Sequence, residues 1–393
     1  MEFLETFQEL LEAAVDARAS DLHLKPNARP IFRINGRLVP QEEREPLTWE
    51  FMEGLVKRVL GPQRQSLLQE GREVDRSYMV PGLGRFRVNV FLSKAEIRAV
   101  LRIIPNRIPN FEELHLPSVL EKLSTERRGL VLVTGITGSG KSTTLASMID
   151  YMNRHREDHI ITIEDPIEFL HEDKRCLVTQ REIGQDSQTF AQALRAALRQ
   201  DPDIILVGEM RDEETMATAI TAAETGHLVL STMHTLNATE TVNRILATFP
   251  PHQEGQIRLQ LAAVLQGVVS QRLVERADGA GRVPAVEVML GTGLIKDCIR
   301  EPEKTATIPA VIAAGQSQYG MQVFDQSLLT LYRQEFITYE TAMAAASNPD
   351  DFALKVRGIL SAGEMSWEVG GAEPAQPDPK AVPKGGGSSF FRR

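Results

Sequence analysis

The first hundred residues mix helical and extended hydrophobic patterns. Apolar side chains between residues 3 and 17 recur every three or four positions, which predicts an amphipathic helix. A second helical pattern covers about 48–70. Short extended runs predict five strands, at 20–24, 30–34, 37–39, 85–91 and 97–104. Asn35-Gly36 is typical of a hairpin turn, so we expect an α+β domain over 1–104.

The pattern changes after residue 104. Pro105, Pro109 and Pro117 fix the backbone and remove hydrogen-bond donors, so 105–117 is predicted to be a linker. Beyond the linker, continuous apolar runs alternate with helical segments. Five of these runs are predicted strands: Leu130–Thr134, Ile160–Ile163, Leu177–Gln180, Ile204–Val207 and Leu228–Thr232. Unbroken apolar strands separated by helices are typical of a buried, largely parallel sheet.

The last part of the chain carries mostly helical patterns, from about 253 to 361. We therefore expect an α/β domain over 118–362 whose carboxyl-terminal part is helical. Residues 363–393 are rich in glycine, proline and alanine, and this composition predicts a disordered tail.

Composition narrows the class of protein. Of 393 residues, 42% are hydrophobic and 25% charged, which fits a globular protein of two domains. No apolar run approaches the ~18 residues of a membrane span, and the acidic amino terminus is unlike a signal peptide, so we expect a cytoplasmic protein. Cys176 and Cys298 have no CxxC partner, which favours two buried thiols over a disulfide or a zinc site. The net charge of −9 disfavours a nucleic-acid partner, although it does not exclude a local basic groove.

A phosphate-binding loop is the strongest chemical signal. The stretch from Gly135 to Thr143, GITGSGKST, fits the pattern G-x-x-x-x-G-K-[ST] between a predicted strand and a predicted helix. Its glycines allow backbone N–H groups to point at phosphate oxygens, and the helix N-terminus adds positive potential. We expect Lys141 to reach the β- and γ-phosphates of ATP and Ser142 to ligate Mg²⁺. The predicted phosphate-binding residues are Gly135, Thr137, Gly138, Ser139, Gly140, Lys141, Ser142 and Thr143.

Carboxylates follow two of the predicted strands. Glu209 comes just after Ile204–Val207, and Glu164 opens the acidic cluster Glu164-Asp165-Pro-Ile-Glu168. Side chains at such strand ends can orient water or hold Mg²⁺ beside bound phosphates. A solvated loop or a helix cap is the alternative for each cluster taken alone. From the residues alone, Ser142 and Glu209 are the candidate magnesium ligands.

Two histidines flank another predicted strand, in GHLVLSTMH from 226 to 234. His227 precedes this strand and His234 follows it. A role in sensing the γ-phosphate and a purely structural role both stay open for each histidine. A zinc site is not expected, because no third ligand stands at a suitable spacing.

Four motifs in order resemble one known family. They are Gly135–Thr143, IEDPIEF at 163–169, DPDIILVGEMRD at 201–212 and AAETGHLVLSTMHT at 222–235. Together they resemble the secretion ATPase superfamily and, within it, the PilT-type retraction ATPases of type IV pili. The segments SDLHL at 20–24, GRFRVNVF at 84–91 and RGLVLVTG at 128–135 extend the resemblance over about 1–360.

The resemblance implies a fold and an assembly. It implies a PAS-like N-terminal domain followed by a RecA-like P-loop ATPase domain, in a homo-hexameric ring. It also implies that Glu209 is the catalytic acid, that Glu164 positions metal or water, that His227 belongs to the histidine box, and that His234 lies close to the γ-phosphate.

The family also implies a role for four arginines on the two predicted strands before the linker. These are Arg85, Arg87, Arg98 and Arg102. They match positions where the family supplies arginines to nucleotide at a subunit interface, and guanidinium groups suit phosphate. Arg87 and Arg102 are the stronger candidates, and ordinary surface arginines are the alternative for all four.

The chain lacks the four-cysteine insertion and the long N-terminal extension of pilus-extension and type II secretion ATPases, which favours the retraction branch. One stretch departs from that branch, because LIKDCIRE at 294–301 stands where the family often has AIRNLIRE. This leaves open whether the chain is a principal motor or an accessory PilU-type paralogue. The expected partners are an inner-membrane pilus platform protein and paralogous pilus ATPases, at the cytoplasmic face of the membrane.

Three other functions are alternatives to retraction. The first is a pilus-assembly or type II secretion ATPase. The second is a RecA-like nucleic-acid motor, which the acidic composition disfavours. The third is a regulatory subunit that binds ATP without hydrolysing it, which the full set of candidate catalytic residues disfavours.

Overall fold

The computed structural model describes residues 2–34, 36–104 and 107–358. Residues 2–34 and 36–104 form an antiparallel sheet with helices against one face. The elements are α1 (Glu2–Asp16), β1 (Asp21–Leu24), β2 (Ile31–Ile34), β3 (Arg37–Pro40), α2 (Trp49–Leu60), α3 (Pro62–Gln69), β4 (Val74–Val80), β5 (Gly84–Ser93) and β6 (Glu96–Ile104). The strand order is β3-β2-β1-β6-β5-β4, and every neighbouring pair is antiparallel.

The helices and the sheet of this amino-terminal part share one apolar core. Phe7, Leu10 and Leu11 on α1 are buried in the cluster that contains Phe86 and Val88 on β5. The amphipathic helix predicted over 3–17 is therefore confirmed, and its apolar side faces the sheet.

Two details of this part differ from the sequence prediction. The helical region predicted over 48–70 is two helices, because Gly61 has φ +70° and Pro62 follows it as the first residue of α3. Strand β4 was not predicted, because charged and polar side chains interrupt its apolar positions and it is only partly buried.

The part from residue 118 onward is built on a second sheet. Its first elements are α4 (Val119–Thr125), β7 (Gly129–Thr134), α5 (Lys141–His155), β8 (His159–Glu164), β9 (Leu177–Glu182), α6 (Phe190–Ala197), β10 (Ile204–Val207), α7 (Glu213–Glu224), β11 (Leu228–Met233), α8 (Ala238–Thr248) and α9 (Glu254–Val264). They are followed by β12 (Leu265–Glu275), β13 (Arg282–Leu290), α10 (Gly293–Arg300), α11 (Ile308–Ala314), α12 (Gln316–Tyr319), α13 (Phe324–Arg333), α14 (Tyr339–Ala345) and α15 (Pro349–Val356). Short 3₁₀ turns cover Pro251–Gln253 and Pro302–Thr307.

The strand order of this sheet is β13-β12-β7-β11-β10-β8-β9. All neighbouring pairs are parallel except β12 with β13. The central strands β7, β10 and β11 are buried along their whole length, as unbroken apolar strands between helices should be. The predicted α/β class and largely parallel sheet are confirmed.

The mostly helical pattern predicted from 253 onward is wrong for residues 265–290, where β12 and β13 form an antiparallel hairpin. Strand β12 begins immediately after α9 ends at Val264, with no turn residue to mark the change. Its parallel pairing with β7 joins distant parts of the chain, so the local pattern could not reveal it.

Residues 107–117 of the predicted linker pack closely against the part built on the second sheet. Phe111 and Leu116 are buried in its core cluster, and Ser147 on α5 donates a hydrogen bond to the carbonyl of Pro109 at 2.6 Å. Cys176 and Cys298 are free and buried, as expected. Within the described residues, no helix is both long and apolar enough to cross a membrane. The tail predicted over 363–393 lies outside the described residues.

Candidate nucleotide site

The carboxyl ends of four adjacent parallel strands bring the predicted chemistry together. Strand register aligns Thr134 with Met233, and Val207 with both Ser231 and Ile163. The residues that follow or end these strands therefore line one edge of the sheet. They are Gly135 after β7, His234 after β11, Glu209 after β10 and Glu164 at the end of β8. Ligand sites of open parallel sheets lie at this edge.

The loop from Gly135 to Gly140 bends sharply between β7 and α5. Gly135 has φ +144°, and a Cβ atom there would lie 2.5 Å from both the Gln271 carbonyl oxygen and Ser139 Oγ. Gly140 has φ +94° and precedes the first residue of α5, Lys141. Glycine, which has no Cβ, adopts these positive φ angles and allows the close approach at Gly135 without strain. The loop thus presents its backbone at the N-terminus of a 15-residue helix, which is an anion-binding arrangement.

Lys141 is buried against this loop. Its Nζ donates hydrogen bonds to the carbonyl oxygens of Gly135 at 2.8 Å and Ile136 at 3.0 Å. Burial lowers the pKa of Lys141, and the nearby Glu209 carboxylate opposes that shift. A phosphate group here would supply the negative charge that the buried ammonium lacks.

Glu209 lies between two basic side chains. Its Oε1 is 2.8 Å from Arg211 Nε, and its Oε2 is 3.6 Å from His234 Nε2. The Glu209 side chain is 20% exposed, whereas Arg211 is 73% exposed. The carboxylate is thus held in place at the site while remaining open to water, which suits a group that orients an attacking water molecule.

Glu164 is held at the end of β8 by hydrogen bonds from the Thr162 hydroxyl at 2.6 Å and the Gln180 side-chain amide at 3.3 Å. Burial raises the pKa of Glu164, and these hydrogen bonds oppose the rise. Its carboxylate, the Glu209 carboxylate and the exposed Ser142 hydroxyl border the same cavity.

These three side chains provide only oxygen donors, the type that Mg²⁺ prefers. The described residues contain no group of three or more His, Cys, Asp or Glu side chains that could hold a metal ion alone. Magnesium commonly binds through one or two protein groups and shares the rest of its coordination with phosphates and water, so this donor set fits it.

A cavity of about 690 Å³ occupies this edge of the sheet. Its size is within the usual range for small-molecule sites. The phosphate loop, both carboxylates and His234 line it, together with Ser20 and Arg102 of the amino-terminal part. Several further lining residues were not predicted from the sequence: Glu168, Phe169, His171, Arg211, Thr232 and Arg282. Glu168, Phe169 and Arg211 stand inside the quoted motifs, which was the available signal, whereas Arg282 begins the unpredicted strand β13.

The four predicted arginines have different surroundings. Arg102 borders the cavity and donates to Asp21 Oδ1 at 2.9 Å. Arg87 lies 3.7 Å from Asp75, and Arg98 lies 3.9 Å from Glu96. Arg85 forms a buried ion pair with Glu182. Within one chain, Arg102 is therefore the arginine of this set that lines the phosphate cavity.

His227 lies at the opposite edge of the sheet from His234, because it precedes β11 and His234 follows it. Seven residues of extended chain correspond to roughly 20 Å. The His227 ring contacts the Ala222 carbonyl oxygen at 2.9 Å, beside a separate cavity of about 640 Å³. The structure therefore does not bring His227 to the phosphate loop of its own chain.

Comparison with known proteins identifies the family. Residues 2–313 match the family described as type II/IV secretion system protein. The chain belongs to this family. Among its secretion-family relatives, a type IV pilus retraction ATPase, PilT of Pseudomonas aeruginosa, is 46% identical over 88% of this chain and 99% of that protein. The type IV pilus ATPase PilU of the same organism is 42% identical over 89% of this chain and 91% of that protein.

A solved member of the family has the same fold. The crystal structure of the pilus retraction motor PilT with bound ADP superposes with a TM-score of 0.80 at 45% identity. The superposition covers 87% of this chain and 97% of that chain. It therefore includes both sheets, because neither residues 1–104 alone (104 of 393, about 26%) nor residues 105–393 alone (289 of 393, about 74%) reach 87% of the chain.

Proposed function

We propose that this chain is an ATP-hydrolysing hexameric motor that powers type IV pilus retraction, and with it pilus disassembly and twitching motility. The observation that carries the proposal is the gathering of Lys141, Glu209 and His234 at one sheet edge beside a phosphate loop. Similarity to PilT over almost the whole of both proteins supports the retraction branch.

In this proposal each side chain has a task in phosphoryl transfer. The backbone of 135–143 and Lys141 bind the phosphates of ATP. Glu209 orients the attacking water, and His234, whose Nε2 lies 3.6 Å from that carboxylate, contacts the γ-phosphate. Ser142, Glu164 and Glu209 hold Mg²⁺, which neutralises charge on the phosphates when bound.

The finer domain assignment is part of the proposal. Residues 1–104 act as a PAS-like domain, 105–117 as a linker and 118–362 as a RecA-like ATPase domain. Arg102 serves nucleotide from within the chain, while Arg87 and Arg98 serve a neighbouring copy in the ring. His227 acts in the ring rather than at its own phosphate loop. The motor works at the cytoplasmic face of the inner membrane, against the platform protein of the pilus machine.

ATP turnover by the purified chain tests the enzymatic core of this proposal. Lys141→Ala should abolish nucleotide binding, because the buried ammonium supplies the charge opposite the phosphates. Glu209→Ala should retain nucleotide binding and lose at least ~100-fold in kcat, the usual scale for a group that activates water. Phosphate release and a nucleotide-binding isotherm measure the two effects separately. Wild-type turnover in Glu209→Ala would remove Glu209 from the mechanism.

One observation favours a second candidate, an accessory PilU-type ATPase. The chain is 42% identical to PilU, and residues 294–301, which include most of α10, lack the Ala-Ile-Arg-Asn opening expected of a principal motor. Expressing the chain in cells that lack all other retraction ATPases separates the two. A principal motor restores retraction alone, whereas an accessory one restores it only together with a second ATPase.

A further inference from the structure

A row of polar side chains crosses the amino-terminal sheet on one face. Directly opposed residues of antiparallel strands lie on the same face. The strand registers place five residues in this row, namely Arg33, Asp21, Arg102, Arg87 and Ser77. Because Arg102 borders the phosphate cavity, this face of the sheet is turned toward the second sheet.

Contacts between Asp21 and two arginines hold the middle of the row together. Asp21 Oδ1 accepts a hydrogen bond from Arg102 at 2.9 Å, and its Oδ2 lies 3.7 Å from Arg33. Burial would raise the pKa of Asp21, but hydrogen bonds from Arg102 and Ser20 outweigh it and lower that pKa. The Arg102 side chain is therefore fixed relative to the amino-terminal sheet. The distance of Arg102 from the phosphate loop depends on where that sheet docks.

Glu182, the last residue of β9, contacts Ser77 at the end of this row. Each of its carboxylate oxygens lies 2.9 Å from Ser77 Oγ, and Oε2 also pairs with the Arg85 guanidinium. Arg85 lies two residues before Arg87 on β5 and so shares its face. The Glu182 side chain is 6% exposed and that of Arg85 is 12% exposed, so this interdomain pair is shielded from water.

The same carboxylate also holds the acidic loop after β8. The backbone N–H of Ile167 donates to Glu182 Oε2 at 3.2 Å. Glu164, Asp165 and Glu168, on either side of Ile167, all border the phosphate cavity. A neighbouring contact supports the docking, because Arg64 on α3 donates to the carbonyl of Gly184 at 2.9 Å.

We propose that Glu182 is a positioning residue that docks the amino-terminal sheet onto the acidic loop and so holds Arg102 at the phosphate cavity. This inference rests on the proposed ATPase function and adds that turnover requires the docked arrangement. In the described part of the chain, no hydrogen bond of Glu182 involves residues 135–143. Loss of the contact should therefore impair turnover while leaving binding at the phosphate loop.

Steady-state kinetics of Arg85→Ala and Glu182→Gln test the role in turnover. Both variants should lower kcat by about 10-fold or more and change ADP affinity by less than about threefold, the pattern for a group needed after binding. Arg85→Lys keeps the positive charge beside Glu182 and should recover most of the lost kcat. Asp150→Asn is a matched control, because Asp150 is a buried carboxylate paired with Arg154 and Lys174 inside the second part alone.

Hydrogen exchange on nucleotide-free protein separates this inference from the proposed function. Arg85→Ala and Glu182→Gln should speed exchange in β4 and in residues 165–168, with α5 unchanged. If the wild-type chain hydrolyses no ATP but these segments respond, the proposed function fails and the docking role stands. Wild-type kcat in both variants of an active enzyme, unchanged exchange in both segments, or an equal loss of kcat in Asp150→Asn would overturn the inference.

Discussion

At the scale of single residues, contacts within the chain hold the groups of the site in place. Lys141 lies across the loop on the carbonyl oxygens of Gly135 and Ile136. Glu209 is oriented by Arg211 and approached by His234. Preorganised groups of this kind reduce the conformational cost of binding and of reaching the transition state.

Gly135→Ala tests how strictly the loop depends on one glycine. The added Cβ would lie 2.5 Å from the Gln271 carbonyl oxygen and from Ser139 Oγ, so the loop must move. We expect a loss of about 2 kcal/mol in the free energy of unfolding and at least a tenfold weaker affinity for ADP. Chemical denaturation and calorimetry measure the two quantities.

Gly138→Ala is the control for that substitution. Gly138 also has a positive φ, +79°, but a Cβ there would meet nothing within 4 Å. It should cost only the strain of a left-handed residue, about 1 kcal/mol. Equal effects of the two substitutions on ADP affinity would mean that the close approach at Gly135 is unimportant.

At the scale of elements, the site depends on strand ends and on the helices that follow them. Helix α8 begins at Ala238, four residues after His234. The N–H of Ala238 donates to Glu287 Oε1 on β13 at 2.8 Å, and the Asn237 side chain caps the same helix through Glu240 N–H. Strand β13 therefore anchors the segment that carries His234.

Glu287→Gln tests this anchor through pH. Burial raises the pKa of Glu287 from its usual 4.5 to about 6. The hydrogen bond from the Ala238 N–H and the charge of Arg272 lower this pKa and so oppose the rise. Because the pKa is raised in the folded protein, the stability that protonated Glu287 contributes is fully present below about pH 4.5. That contribution is lost as the pH rises through about 6. The loss amounts to about 2 kcal/mol.

Glutamine keeps a side-chain oxygen that can accept the hydrogen bond from the Ala238 N–H, and it has no charge to bury. The variant should therefore not lose stability as the pH rises through about 6. Its stability relative to wild type should rise by about 2 kcal/mol between pH 4 and pH 7 in denaturant titrations. A difference between the two proteins that stays constant across this range would contradict the burial of a titrating Glu287.

The elements also show which features a sequence can predict. Strand β10 has the predicted bounds Ile204–Val207, because a central parallel strand is buried on both faces and reads as an unbroken apolar run. Strands β12 and β13 were missed, because β12 follows α9 without a turn and its pairing with β7 is non-local.

The residues of the site divide in the same way into predictable and unpredictable ones. Gly135, Glu164, Glu209 and His234 were predictable, because each lies at the carboxyl end of a recognisable strand. The role of Glu182 was not, because it arises from contact with a distant sheet that contains the unpredicted strand β4. His227 was grouped with them because it flanks the same predicted strand as His234 and because the family resemblance implies a histidine box. The direction of β11 puts it at the other edge of the sheet.

At the scale of the whole molecule, the phosphate cavity belongs to both parts of the chain. The part built on the second sheet supplies the phosphate loop and the carboxylates, and the amino-terminal part supplies Arg102 on β6 and Ser20 just before β1. A relative movement of the two parts would change the charge around the phosphates. This is a physical route by which ATP hydrolysis can drive a mechanical step in a motor of this family.

The number and retraction of surface pili in the source organism test the central claim most directly. Cells lacking this gene, complemented with the wild-type chain or with Glu209→Ala, are the matched set. We expect excess pili that fail to retract in the deletion strain, normal pili with the wild-type chain, and no rescue by Glu209→Ala. Loss of pili in the deletion strain would mean an assembly role, and rescue by Glu209→Ala would mean that hydrolysis at this site does not drive retraction.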